Sequence, residues 1–297
     1  MATAASPVKI ACIQMDIVEG NKNANLEKAE KLIREACGNG AGLIVLPETF
    51  NSGFFMDSRC EAFQIAEAVP EGGSTQMLIR LAKEFSVYIC GSLLERVGSD
   101  VFNAGVLVGP DGYIGKYRKL HPCEDEVYFA EPGDLGIPVF HTPIGRIGLC
   151  VCLDAYYPEV FRIQALQGAD IVCCMFNSSD VQETRHLPAP IHTLVPALCM
   201  ANAVSNHIFT VCCDRVGRGH ASIHGNKYAG QSAIISPWGG PLSGIASDEE
   251  ETILYADVDL CDARRKNYHP TNSRLAVRRT DVYSADLGYD PKKYPRQ

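Results

Sequence analysis

No apolar window of this 297-residue chain approaches the roughly 18 residues that a membrane span needs, so no membrane partner is expected. The opening residues, Met1-Ala-Thr-Ala-Ala-Ser-Pro7-Val8, lack the basic stretch and apolar run of a secretory leader, and a cytoplasmic protein is expected. One-sided positive charge is missing as well. The formal net charge of -8 is spread over mixed-sign segments, with Asp248-Glu-Glu-Glu251 as the only acidic run, which argues against a nucleic-acid partner. Zinc-ligand spacing is absent too, although the chain holds 13 cysteines. The adjacent pairs Cys173-Cys174 and Cys212-Cys213 point to opposite faces of a strand, and neither a metal nor a cofactor is expected.

What is present is a long, evenly composed chain. It is 46% hydrophobic and 21% charged with no composition break, which reads as one domain over residues 1–297. Residues 262–297 form a polar, basic C-terminal tail that either arms a partner subunit or wraps its own domain. Most cysteines sit inside apolar runs, among them Cys12, Cys90, Cys173, Cys174, Cys212 and Cys213, where they act as small hydrophobes in a reducing compartment.

The periodicity alternates. A strand over Val8 to Gln14 precedes a helix marked by Leu26, Ala29, Leu32, Ile33 and Ala36 and stopped by Asn39-Gly40. Leu43 to Leu46 and Val87 to Leu94 read as strands around a helix from Ser74 to Phe85. Val101 to Leu120 reads as a hairpin turned by Gly109-Pro-Asp-Gly112. Beyond Cys152, a helix opening at Pro158 and ending at Gly168 leads to a buried strand, Ile171 to Phe176. A helix from Leu194 to Val204 and strands Ile208 to Cys213, Ser232 to Ile235 and Ile253 to Val258 complete the pattern. Such alternation predicts an α/β protein, either a four-layer α-β-β-α sandwich or a doubly wound sheet.

Three short apolar stretches, Gly42 to Pro47, Tyr113 to Arg118 and Arg146 to Val151, run out at chemically competent residues: Glu48, Lys119 and Cys152. Because α/β sheets bind ligands outside strand carboxyl ends, a base, a cation and a thiol can meet there in one acyl-transfer site. Taken singly, each has a plainer reading. Glu48 is a turn cap, Lys119 belongs to a solvated edge run, and Cys152 is one thiol among many, with Cys150 as a rival nucleophile or redox partner. At a strand-to-helix elbow, the helix N-terminus and a nearby lysine are expected to enrich the Cys152 thiolate.

The ordered motifs decide between these readings. Leu46-Pro-Glu48, Tyr117-Arg-Lys119-Leu-His121, Gly133-Asp134, Gly148-Leu-Cys-Val-Cys152-Leu-Asp154-Ala-Tyr-Tyr-Pro158-Glu159, Leu166-Gln-Gly-Ala-Asp170, Cys213-Asp-Arg-Val-Gly217 and Gly230-Gln-Ser-Ala-Ile-Ile-Ser-Pro237 together resemble the nitrilase superfamily of carbon-nitrogen hydrolases. The resemblance spans almost the whole chain. It implies the α-β-β-α sandwich, with Cys152 as nucleophile, Glu48 as general base and Lys119 as oxyanion stabiliser, and at least a homodimer. It also implies a second glutamate eight positions before the Asp of the Gly-Asp pair, which is Glu126, with Glu124 and Asp125 as rivals. The backbone N-H of Leu153 is the second expected oxyanion donor.

For the substrate, nitrile-cleaving members of that superfamily follow the nucleophile with Trp-Glu, whereas this chain has Leu153-Asp154, as amidase and carbamoylase branches do. A small amide or ureido compound is therefore expected, with ammonia or an amine released. A nitrile or a purely binding role on the same fold are the alternatives. Carboxylate-clamping arginines after the cysteine are replaced by Ala155, Tyr156 and Tyr157, and the run Glu124-Asp125-Glu126 suits a cationic tail. Phe54, Phe55, Tyr156, Tyr157 and Phe176 are candidate pocket walls, and Asn177 is a candidate substrate contact or a turn residue.

Overall fold

The structure is a computed structural model that describes residues 7–179, 193–222 and 225–286. In chain order, β1 (Val8–Gln14) leads to α1 (Lys22–Gly38), β2 (Leu43–Val45), α2 (Arg59–Ile65), α3 (Gly73–Phe85) and β3 (Tyr88–Val97). The predicted hairpin follows as β4 (Asp100–Gly109) and β5 (Gly112–Arg118). A second hairpin, β6 (Val139–Thr142) and β7 (Gly145–Val151), precedes α4 (Pro158–Leu166), β8 (Ile171–Met175), α5 (Leu194–Asn206) and β9 (Phe209–Cys213). A small hairpin, β10 (Arg218–Ser222) and β11 (Gly225–Lys227), is followed by β12 (Ala233–Ile235), β13 (Pro241–Ile245) and β14 (Thr252–Val258).

Local chemistry sets these limits. The Asn21 side chain caps α1 by accepting from the Ala24 N–H at 3.2 Å, and α1 buries Asn25, Ala29, Ile33 and Ala36 at helical spacing. Pro158 starts α4, where its missing N–H leaves no bond unmade.

The strands form two six-stranded sheets, in the orders β14-β1-β2-β3-β4-β5 and β13-β12-β9-β8-β7-β6. That excludes the single doubly wound sheet and leaves the four-layer α-β-β-α sandwich. In each sheet the central three strands are parallel and the outer ones antiparallel. Side-chain alternation makes the layers: Ile10, Cys12, Leu43 and Val45 meet Ile147, Leu149, Cys173 and Met175 between the sheets. Ala11, Ile13 and Ile44 face the α1 and α3 side, and Cys150, Cys174 and Cys212 face the α4 and α5 side. The paired cysteines thus do point to opposite faces, and all thirteen thiols are free. No described helix is long and apolar enough to cross a membrane.

Among the elements named above, α2, β6, β10, β11 and β13 have no counterpart in the sequence reading. β6 and β13 are sheet edges, half-buried or exposed, so they carry little apolar pattern. At the C-terminal end, Leu260 and Ala263 pack into the core between the sheets, and Arg264 reaches back to Asp170 with bonds of 3.0 and 2.9 Å. Residues 287–297 of the expected tail lie outside the described residues.

Candidate active site

Both sheets contribute to one site. Glu48 follows β2, Lys119 follows β5 and Cys152 follows β7, so two residues come from the first sheet and one from the second. Glu48 is stitched across the gap, its N–H donating to the Phe176 carbonyl at 3.1 Å just beyond β8. Cys152 opens a 3₁₀ turn, Cys152–Tyr156, with φ at 48°. A β-carbon in that left-handed region costs about 1–2 kcal/mol, a strain the surrounding packing must hold. The turn lifts the thiol out of the sheet, and the first N–H groups of such a turn have no partner within it.

Lys119 is the centre of the charge arrangement. Its Nζ donates to Glu48 Oε1 at 2.9 Å and to Glu126 Oε2 at 2.6 Å, and all three side chains are buried. Glu126 lies in the 3₁₀ turn Glu124–Tyr128, where Glu124 and Asp125 are exposed, so of the three rival acids it is Glu126 that meets the lysine. Glu126 Oε2 also accepts from the Cys123 N–H at 2.8 Å. Burial works against the ammonium, but Glu126 and Glu48 outweigh it and hold the Lys119 pKa well above that of an ordinary lysine. Burial also raises the Glu48 carboxyl; Lys119 opposes that rise and Glu126 adds to it. Glu48 Oε2 is buried with no hydrogen-bond partner among the described residues.

The thiol departs from expectation. Burial and the neighbouring Glu48 push Cys152 well above the ordinary thiol range, and Lys119 only partly offsets them. The thiolate enrichment inferred from the elbow does not hold, because the lysine's charge is already met by two carboxylates. Cys152 therefore rests as a thiol beside a carboxylate able to take its proton. The rival Cys150 is fully buried, packed with Ala155, Val160 and Phe161 away from the site.

A cavity of about 180 Å³ opens over Cys152, and Phe54, Leu153, Tyr156 and Asn177 all line it, together with Phe55, Cys123 and Glu124. Tyr157 and Phe176 do not. Tyr157 instead stacks on His121 with ring centroids 3.7 Å apart, and Phe176 is buried in the core under α4 and α5. Asn177 Nδ2 donates to Thr49 Oγ1 at 3.2 Å, and its Oδ1 has no partner among the described residues. Thr193, also on the cavity wall, keeps its Oγ1 unpartnered in the same sense. The described lining holds no Lys, Arg or His.

Two residues gain a place that sequence patterns do not reveal. Asp154 accepts from Tyr117 Oη at 2.5 Å, from the Leu120 N–H at 3.2 Å, and from the His121 N–H at 3.0 Å and Nδ1 at 2.6 Å. It ties the segment after Lys119 to the Cys152 turn. Asn103, on β4, touches both acids through Nδ2, at 2.7 Å from Glu48 Oε1 and 2.8 Å from Glu126 Oε1. A lone asparagine in an apolar run carries no signal until its neighbouring strands are known.

Known proteins resemble this chain in sequence and in fold. Residues 9–268 match the family described as carbon-nitrogen hydrolase. A protein named nitrilase from Pyrococcus abyssi is 39% identical over 278 residues, covering 93% of this chain and 99% of that one. An N-carbamoylputrescine amidase of Oryza sativa is 30% identical over 300 residues, with 98% of each chain covered. The crystal structure of a carbon-nitrogen hydrolase from Helicobacter pylori superposes with a TM-score of 0.81 at 27% identity, over 95% of this chain and 98% of that one.

Proposed function

The chain belongs to the carbon-nitrogen hydrolase family, and on that premise we propose that it hydrolyses a small amide or N-carbamoyl amine through a thioester on Cys152. The observation that carries this reading is the division of labour around Lys119. Glu126 has both oxygens engaged, whereas Glu48 has Oε1 taken by Lys119 and Asn103 and leaves Oε2 unpartnered, with its carboxyl group close enough to Cys152 for the two to interact. In the proposed sequence Glu48 Oε2 takes the thiol proton as Cys152 Sγ attacks the carbonyl carbon. The oxyanion is held by the third N–H of Lys119 and by the Leu153 N–H. Glu48 returns its proton to the nitrogen, the carbon-nitrogen bond breaks, and ammonia or an amine leaves. Water, deprotonated by Glu48, then hydrolyses the thioester and frees the acid and the thiol.

Amide over nitrile is supported by the buried acceptor Asn177 Oδ1, which suits a substrate carrying N–H groups; a nitrile has none to offer. Leu153-Asp154 after the nucleophile supports the same branch. The 39%-identical relative named nitrilase keeps nitrile cleavage as the second reading. A lining without Lys, Arg or His supports a neutral or cationic substrate, with Glu124 at the wall suited to a positive end group. Free thiols throughout support a cytoplasmic setting. Exposed Tyr156, Tyr157, Ile163 and Leu166 support a homodimer or larger homo-oligomer.

Ammonia release from a panel of amides, N-carbamoyl amines, ω-amido acids and nitriles tests the reading. Turnover is expected with an amide or ureido compound, falling at least about 1,000-fold in Cys152→Ala. Full activity in that variant contradicts the assignment, and silence across the panel with an unreactive Cys152 favours a binding module.

A further inference from the structure

Behind the two acids lies a hydrogen-bond chain that none of the roles above uses. Asn103 is 1% exposed in the middle of β4, and an amide buried there must place every donor and acceptor. It does so on groups that matter to the site. One Nδ2 hydrogen goes to Glu48 Oε1 at 2.7 Å and the other to Glu126 Oε1 at 2.8 Å. Its Oδ1 accepts from Ser92 Oγ at 3.0 Å, and Ser92 Oγ in turn accepts from the Thr49 N–H at 2.9 Å. The Asn103 carbonyl accepts from the Lys119 N–H at 2.8 Å.

The orientation of this amide is forced from both sides. Ionised carboxylates only accept, so the NH₂ group must face the acids. Ser92 already receives the Thr49 N–H, so its hydroxyl hydrogen is free for Oδ1. With Asn103 and Lys119 both on Oε1, the bonding capacity of that Glu48 oxygen is used, and Oε2 alone remains for the thiol. Thr49 has φ at 46°, so the bond its N–H donates to Ser92 Oγ also holds the strained residue next to Glu48.

We infer that Asn103 is a positioning residue for the hydrolysis proposed above, on which this inference rests. By pinning Oε1 of both Glu48 and Glu126 on one amide, backed by Ser92, it fixes the rotamer that turns Glu48 Oε2 to Cys152. It also places a second donor group, beside Lys119, between two carboxylates that otherwise repel. A hydrogen bond to a carboxylate favours its charged form, so losing Asn103 is expected to move Glu48 further up.

The test uses the full chain with Asn103→Leu, Asn103→Asp and Ser92→Ala. For Asn103→Leu, kcat is expected to fall about 100-fold with KM little changed, and the acid limb of the pH profile to rise by about one pH unit. Asn103→Asp keeps the volume but adds a third carboxylate, so its limb is expected to move further; a packing role alone predicts near-wild-type behaviour. Ser92→Ala is expected to shift the limb in the same direction by less, and it decides the matter if the Asn103 variants do not fold. The protonated-carboxyl infrared band of Glu48, assigned with Glu48→Gln, is expected to follow the same shifts and needs no substrate. Failure of the wild type to turn over, or full turnover by Cys152→Ala, sinks the hydrolase reading and leaves the infrared readout to judge Asn103. Unshifted limbs and bands in Asn103→Leu, or in Ser92→Ala where that variant decides, overturn the inference.

Discussion

Glu48 and Glu126 carry the same functional group, and their surroundings give them different work. Glu126 accepts on both oxygens from Asn103, Lys119 and the Cys123 N–H, while Glu48, whose carboxyl group interacts with Cys152, keeps one oxygen unpartnered among the described residues. Another buried acid, Asp214, follows β9: its Oδ1 accepts from the Ser178 N–H at 3.1 Å and the Arg215 N–H at 2.8 Å, but its Oδ2 has no partner among the described residues. Burial pushes its pKa up to about 8. Folding thus raises this pKa, so the unfolded chain loses the proton first, and Asp214 withdraws stability as pH climbs from the ordinary carboxylate range to about 8. Asp214→Asn removes that penalty. In urea unfolding, its advantage over wild type is expected to be small near pH 4, to widen toward pH 8 by up to several kcal/mol at about 1.4 kcal/mol per pKa unit, and then to level off. A gap that does not change with pH contradicts the assignment. At this scale Glu48, Lys119 and Cys152 were readable as strand ends joined by ordered motifs, and Glu126 only through the family resemblance, which implies a second glutamate eight positions before Asp134. Asn103 and Ser92 were not, because their meaning depends on which strands lie beside them.

Turns and strand ends convert those residues into a site. The Gly133-Asp134 pair, legible only as part of a motif, proves to be a clasp on the end of β5: the Gly133 N–H donates to the Lys119 carbonyl at 2.8 Å, and Asp134 accepts from Arg118 at 2.6 Å. A β-carbon at Gly133 would lie 2.1 Å from the Arg118 carbonyl oxygen, and backbone cannot yield as a flexible side chain does. Gly133→Ala is therefore expected to displace Lys119, lowering kcat/KM by about 100-fold, and to cost about 1–3 kcal/mol of stability. Steady-state kinetics and urea unfolding check both, and a variant with unaltered kcat/KM contradicts the clasp. The helices and hairpin that lead to the site announced themselves through periodicity, Asn39-Gly40 and the Pro-Asp-Gly turn. β13 did not, since Pro241-Leu-Ser-Gly-Ile245 combines residues poor in strand preference on a sheet edge. Nor was the resting thiol legible, because its proton depends on burial and on Glu48 arriving from the other sheet.

Across the whole molecule, the face-to-face packing of two sheets brings the ends of β2, β5, β7 and β8 to one place, so that the acids and lysine of one sheet meet the thiol and Asn177 of the other. Close approach is built in at Gly105 of β4, where a β-carbon would lie 2.8 Å from Met175 Cε on the facing sheet. The alternating pattern allowed two architectures; the ordered motifs favoured the four-layer one, and the strand pairing establishes it. The central claim is that these convergent ends make Cys152 the acyl carrier. Its most direct test is rapid quenching during turnover of a substrate from the ammonia screen, followed by peptide mass spectrometry. The expected result is the acyl mass on the peptide carrying Cys152, lost in Cys152→Ala along with turnover. Steady turnover with Cys152 unmodified and the acyl group on another residue would contradict it.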